Sequence, residues 1–127
     1  MPSAASPLRI LVVDDDRDLM ESLVAVVGML GHQGHGVTSG LAALAHLADA
    51  PCDLVFMDVT MPGLDGFETA RRLRREPWGA HTVLVAMTGW ELSTQRVPAL
   101  EAGFDWVYEK PIDVGVIRTV LEQFRSV

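Results

Sequence analysis

The sequence predicts an α/β fold: an open, doubly wound sandwich in which five parallel strands form one sheet, each followed by a helix, (βα)5, in three α/β/α layers. Three observations predict it. Short apolar runs alternate with stretches of helical periodicity along the 127 residues. The runs at Leu54 and Val83 lack the every-other-residue alternation of a half-exposed strand, as strands covered on both faces should. Chemically active side chains follow directly on several of the runs, where such sheets gather their sites.

The first strand runs from Leu8 to Val13 and meets a row of carboxylates, Asp14, Asp15, Asp16 and Asp18. Leu19, Leu23, Val26, Val27 and Leu30 then fall at helical spacing and stop at Gly31, a natural left-handed helix end. Asp16 is placed to cap this helix and Asp18 to lie in its first turn. The run "QGHGV", Gln33 to Val37, is the poorest in apolar residues and is assigned to a sheet edge. Leu41, Leu44, Ala45 and Ala48 mark a short second helix that ends before Pro51. The third strand is Leu54 to Met57, and "VTMPGLDG" after it supplies Pro62, Gly63 and Gly66 for a sharp turn. Asp65 can cap the third helix while Glu68 returns the bond, the capping-box arrangement. Thr82 to Met87 makes the fourth strand. In "ELSTQRVPALEAG" Pro98 removes a backbone donor, which predicts a fourth helix that is short, late or bent. Trp106 to Tyr108 is the fifth strand, ending at Lys110 and Pro111, and Val114, Ile117, Val120, Leu121 and Phe124 share one face of a closing helix.

With 49% hydrophobic and 21% charged residues the chain is a globular protein rather than a disordered one, of single-domain size. Residues 1–7 read as a flexible arm, 8–125 as the domain, with no output domain after it. Ten basic against 17 acidic residues give a formal charge of −7, which disfavours nucleic acid and anionic lipid. The one basic cluster, "RRLRR" at Arg71 to Arg75, reads as a solvated stripe paired with Glu68 and Glu76. Cys52, the only cysteine, excludes an internal disulfide and a thiolate metal cluster. His32, His35, His46 and His81 lack metal-ligand spacing and are assigned surface or loop positions. The apolar stretch from Ser22 is far shorter than the ~20 residues of a membrane span, and "MPSAASPL" is no secretory signal, so a cytoplasmic address is expected.

Read off the strand ends, Asp14, Asp15, Asp58, Thr88 and Lys110 converge on one rim. Carboxylates packed together repel, and a bound cation removes that cost. All-oxygen ligands point to a hard ion such as Mg²⁺. Beside such an ion, Lys110 and the Thr88 hydroxyl would form a cradle for a phosphoryl group in transfer, with Asp58 as nucleophile.

The motifs "LVVDDD", "LVFMDVTMPGLDG", "VAMTG" and "EKPID" resemble, in order and spacing, the receiver domain of two-component response regulators, over about Leu8 to Phe124. The resemblance implies a flavodoxin-like fold of the chemotaxis-regulator type and phosphorylation of Asp58 with Mg²⁺, for which Mn²⁺ can substitute. A histidine kinase or histidine phosphotransfer protein would be the donor. It implies a cytoplasmic phosphorelay protein that catalyses only its own phosphorylation and dephosphorylation, as a monomer or a weak phosphorylation-dependent dimer, signalling to a downstream protein target. Carried over by position, Asp14, Asp15 and Asp58 hold the metal, Asp15 most directly, together with the Thr60 backbone carbonyl. Thr88 contacts the phosphoryl group and Lys110 pairs with it.

Two departures stand out. Three positions before the Lys, where many members carry an aromatic switch residue, this chain has Val107, and strand alternation places Trp106 and Tyr108 on the opposite face. Pro98 falls in the fourth helix, part of the face by which the family usually signals. Thr60 and Trp90 are expected to border the pocket, with Trp90 limiting water. Two other classes explain less. A haloacid dehalogenase-like phosphatase could use Asp14 and Asp16, but the chain has no room for a cap domain and "MDVTMPGLDG" would be unexplained. A flavin or nucleotide module needs a phosphate-binding loop where this one is strongly anionic.

Overall fold

The computed structural model describes residues 6–89 and 92–125. Five strands, β1 (Arg9–Val13), β2 (Gln33–Val37), β3 (Leu54–Asp58), β4 (Val83–Thr88) and β5 (Trp106–Glu109), alternate with α1 (Arg17–Met29), α2 (Gly40–Asp49), α3 (Gly66–Arg75), α4 (Leu92–Ala102) and α5 (Val114–Arg125), with a 3₁₀ turn at Pro77–Gly79. The strands are all parallel, in the order β2-β1-β3-β4-β5. The chain therefore reverses its direction of winding beside β1, and the rim between β1 and β3 is the crevice such sheets offer to ligands.

Strand alternation sorts the core into two layers. Leu11, Val13, Val55, Met57, Leu84, Ala86 and Val107 pack under α2, α3 and α4, while Ile10, Val12, Leu54, Phe56, Val85 and Met87 pack under α1 and α5. All five residues of β3 are buried, as the unalternating sequence of a central strand requires. β2 takes the expected edge position. The glycines in β2 have a packing reason: a Cβ on Gly36 would stand 1.9 Å from the Met20 sulfur, so a larger residue there would have to displace the Met20 side chain of α1. Among the described residues no helix is long and apolar enough to cross a membrane.

Most helix signals hold. Asp16 caps α1 by accepting from the Leu19 amide at 3.2 Å, and Gly31 ends it with φ 92°. Asp65 caps α3 through the Glu68 amide at 2.9 Å. Half of the capping box is replaced, however, because the Glu68 carboxylate turns outward to Arg71 and Arg72 at 3.3 and 3.2 Å. α4 is not short: it runs eleven residues with Pro98 inside it, on the exposed side. On α1 and α5 the buried stripe is narrower than its spacing predicts, since Leu19 and Val114 in the first turns are 46% and 42% exposed.

The basic stripe is solvated only in part, for a tertiary reason. Arg74 is no solvated residue: its guanidinium donates to the carbonyls of Gly103, Gly79 and Thr82 at 3.0, 2.9 and 2.6 Å and pairs with Asp105 at 2.8 Å, tying α3 to the entries of β4 and β5. Glu76 forms no ion pair among the described residues. His32 follows α1 in a loop, as expected, but is buried rather than on the surface, and its Nδ1 accepts the Leu8 amide at 2.9 Å. In α2 the buried residues are Gly40, Ala43 and Leu47, so Leu41, Ala45 and Ala48, whose spacing marked the helix, lie on its outer side.

Candidate functional site

Backbone bonds bring the strand ends to one level. The Asp14 amide donates to Val37 at 3.2 Å, the Val59 amide to Met87 at 3.1 Å, and the Lys110 amide to Thr88 at 2.7 Å, so all five strands finish together. Gly66 opens α3 against this rim, where an added Cβ would meet the Asp58 carbonyl at 2.5 Å. Gly63 takes φ 76° in the preceding turn, the left-handed conformation that turn needs. Pro111 follows Lys110 through a cis peptide bond. Gly63 and Gly66 thus let the loop after Asp58 turn and close back against the strand end.

Asp14 and Asp58 are buried, and Asp15 is exposed at the mouth. The Lys110 ammonium lies 3.0 Å from Asp14 Oδ2 and 3.1 Å from Asp58 Oδ2, bridging the two. The second oxygen of each carboxylate is also held: Asp14 Oδ1 accepts the Asp16 amide at 2.9 Å and Asp58 Oδ1 the Thr60 amide at 3.0 Å. Asp14, Asp15 and Asp58 each offer an oxygen within 4.8 Å of the others. Such a set suits a hard divalent cation that keeps part of its water. Thr88 is fully buried, and its hydroxyl is without a hydrogen-bond partner among the described residues. A buried hydroxyl left unpaired costs stability, so its presence at a strand end points to a ligand.

Burial pushes the Asp58 carboxyl above its ordinary pKa, more strongly than the Thr60 amide and Lys110 pull it down. For Lys110 burial works downward, but the hydrogen bonds and charges of Asp14 and Asp58 outweigh it and leave its pKa raised. Lys110 thus remains an ammonium, and the Asp58 carboxylate holds its charge against the cost of its burial.

The structure brings Asp14, Asp15 and Asp58 together with the Lys110 ammonium, sets Thr88 at the neighbouring strand end where its carbonyl accepts the Lys110 amide, and leaves Thr60 next to Asp58 at the surface. Trp90 lies outside the described residues. Val107 is buried with Ala99 and Ala102 of α4, whereas Trp106 and Tyr108 pack into the opposite layer, so neither aromatic neighbour substitutes for it. One feature escaped the sequence: a cleft of about 400 Å³ beside the site, walled by Leu19, Leu23, Pro111 and Ile112, with Asp14 and Lys110 on its polar side. Its signal would have been Leu19, an apolar residue in a first helical turn that the core does not need.

Residues 10–122 match the family described as the response regulator receiver domain. Response regulator MprA of Mycobacterium sp. (strain KMS) is 39% identical over 105 residues, covering 83% of this chain and 45% of that protein. The chain therefore spans about half the length of such curated relatives. A putative response regulator from Chloroflexus aurantiacus has a similar structure, with TM-score 0.88 and 25% identity over 95% of this chain and 99% of that one. So does the receiver domain of a sensor histidine kinase from Pseudomonas aeruginosa, crystallised with a magnesium ion in its active site cleft, with TM-score 0.86, 25% identity and the same coverage. The phosphatase and flavin-module readings gain no support from these matches. With the family matching nearly the whole chain, and the acidic pocket, hydroxyl and lysine on one rim, the chain belongs to the receiver domains of two-component response regulators.

Proposed function

We propose that this receiver takes a phosphoryl group onto Asp58 from a phosphohistidine of a histidine kinase or phosphotransfer protein. An Asp58 carboxylate oxygen attacks phosphorus, the P–N bond breaks, and the departing imidazole takes up a proton, leaving an acyl phosphate. The observation that carries this reading is the pairing of Asp58 with Lys110 at 3.1 Å, with the Thr88 hydroxyl at the adjoining strand end lacking a hydrogen-bond partner among the described residues. Asp14, Asp15 and Asp58, with the Thr60 carbonyl, would hold Mg²⁺; the Pseudomonas neighbour has a magnesium ion coordinated in its active site cleft. Bound there, the cation supplies positive charge to phosphoryl oxygens in transfer. Asp14 keeps Lys110 directed at the site, Lys110 neutralises charge on the incoming group, and Thr88 donates its hydrogen bond to a phosphoryl oxygen. The chemistry stays on the chain's own Asp58, with no separate substrate turned over. Output passes to a protein target. With valine at position 107 it does not depend on an aromatic side chain turning inward there.

Incubation with Mg²⁺ and acetyl phosphate, read by intact mass, tests this. The native chain is expected to gain one phosphoryl group and Asp58→Asn none; a native chain that never gains it, or an Asn variant that gains it equally, defeats the proposal. Beryllofluoride with Mg²⁺ should raise the thermal midpoint, as any ligand confined to the folded state does.

A further inference from the structure

The outer side of α2 is unusual for a surface helix. From Gly40 to Ala48 it carries no Asp, Glu, Lys or Arg, Leu41 is 64% exposed, and Ala45 and Ala48 are exposed as well. Surface helices ordinarily turn charge to water, and a contiguous apolar face marks a place where something binds. Next to it, Leu44 and the half-buried Trp78 line a cavity of about 230 Å³ with Arg72, Arg75 and Glu76 around them. α3 carries four of the ten cationic residues in a chain of charge −7; Arg74 is turned inward, Arg71 and Arg72 stay outside and share Glu68, and Arg75 stays outside with no ion pair among the described residues. An apolar helix face and an arginine rim thus lie side by side, on a molecule that is otherwise acidic.

We propose that this α2–α3 face docks an acidic amphipathic helix of a partner protein. Its apolar side would lie along Leu41, Leu44 and Ala45, an apolar side chain would fill the cavity at Trp78, and its carboxylates would meet Arg72 and Arg75. The small side chains Ala45 and Ala48 let a second helix axis approach closely, as helix pairs require. The arginine rim selects the charge of the partner. A second copy of this chain fits poorly, because a two-fold contact through the same patch would oppose like arginine rims. An anionic membrane fits poorly too, since the rest of the chain repels it.

The test uses a fluorescein-labelled helical peptide with leucines along one face and glutamates beside them, titrated into the full chain by anisotropy. Saturable binding is expected, weakened about tenfold or more by Leu41→Glu and by the pair Arg72→Glu and Arg75→Glu, and weakened by salt. The same peptide with lysines in place of the glutamates should not bind. Phosphorylation by acetyl phosphate, read by mass, checks that each variant keeps its fold. Absence of saturable binding overturns the proposal, as does equal binding by the folded variants or by the lysine peptide. Sedimentation showing a dimer abolished by Leu41→Glu would assign the face to a second copy instead. Capture by phosphatidylserine vesicles, lost in the same variant, would assign it to lipid; either result also overturns the acidic helix.

Discussion

The Lys110 ammonium stands 3.1 Å from the Asp58 carboxylate, across a gap of 52 residues, and 3.0 Å from Asp14, across a gap of 96. One cation thereby neutralises two buried carboxylates that would otherwise repel each other. Removing one partner of such a group leaves uncompensated charge in the interior, which is costly. Lys110 keeps some access to water, so the cost is moderated. Lys110→Met should destabilise the protein by about 2 kcal/mol at neutral pH without metal. Urea unfolding checks this, and saturating Mg²⁺ should recover more stability in the variant than in the native chain. Equal stability of the two proteins would show that the ammonium is not what holds the carboxylates together.

The raised pKa of Asp58 has a second outcome. Between the ordinary carboxylate value and its raised folded-state value the folded protein holds a proton that the unfolded chain has already released. Metal-free stability should therefore fall as pH rises from the ordinary carboxylate range through that value. Asp58→Asn should abolish this part of the slope. Protons and the cation compete for the same oxygens, so the apparent Mg²⁺ affinity should drop by up to about tenfold per pH unit below that point. Calorimetric Mg²⁺ titrations across pH 4–8, a range chosen around the carboxylate and neutral regions, would find a flat affinity if the Asp58 carboxylate takes no part.

The site was legible because its members sit where parallel strands end, and strand ends are the best-marked features of this chain. Asp14, Asp58, Thr88 and Lys110 each follow an apolar run, so assigning the strands assigned the rim. Helix faces were less legible. In α2 apolar residues occupy both sides, and periodicity alone cannot say which side the sheet covers; the structure covers Ala43 and Leu47 and exposes Leu41. Arg74 and His32 escaped for another reason. Arg74 binds Gly103 and Asp105, about 30 residues on, and His32 binds Leu8, 24 residues back, and no local pattern encodes a partner at that range.

His32 has a pH dependence of the opposite sign. Its Nδ1 accepts the Leu8 amide and must be unprotonated to do so, and the Arg125 guanidinium lies 3.4 Å from Nε2. Burial first, and Arg125 second, hold its pKa below the ordinary histidine value. A base with a depressed folded-state pKa loses stability for the fold as pH drops below its unfolded value, about 6.5, toward the folded one. The native chain should weaken between pH 7 and 5 by up to about 1.4 kcal/mol per pH unit from this group. His32→Gln should lack that component, as urea midpoints at several pH values would report. Parallel pH profiles in the two proteins would mean that His32 titrates equally in the folded and unfolded states.

Thr88 separates stability from function most cleanly. Its hydroxyl is buried at the end of β4 with no partner among the described residues, and the Thr88 carbonyl is already engaged by the Lys110 amide. Replacing it by valine keeps the shape and removes a polar atom whose burial is uncompensated. Thr88→Val should therefore leave the unphosphorylated protein as stable as the native one, or more stable by about 1 kcal/mol. If the hydroxyl serves the phosphoryl group, the same variant should take up phosphate from acetyl phosphate about tenfold more slowly, since one charge-directed hydrogen bond in the transition state is lost. Unfolding and mass-resolved phosphorylation kinetics on one preparation read both effects. A variant that is less stable yet phosphorylated at the native rate would reverse the assignment and make Thr88 a structural residue.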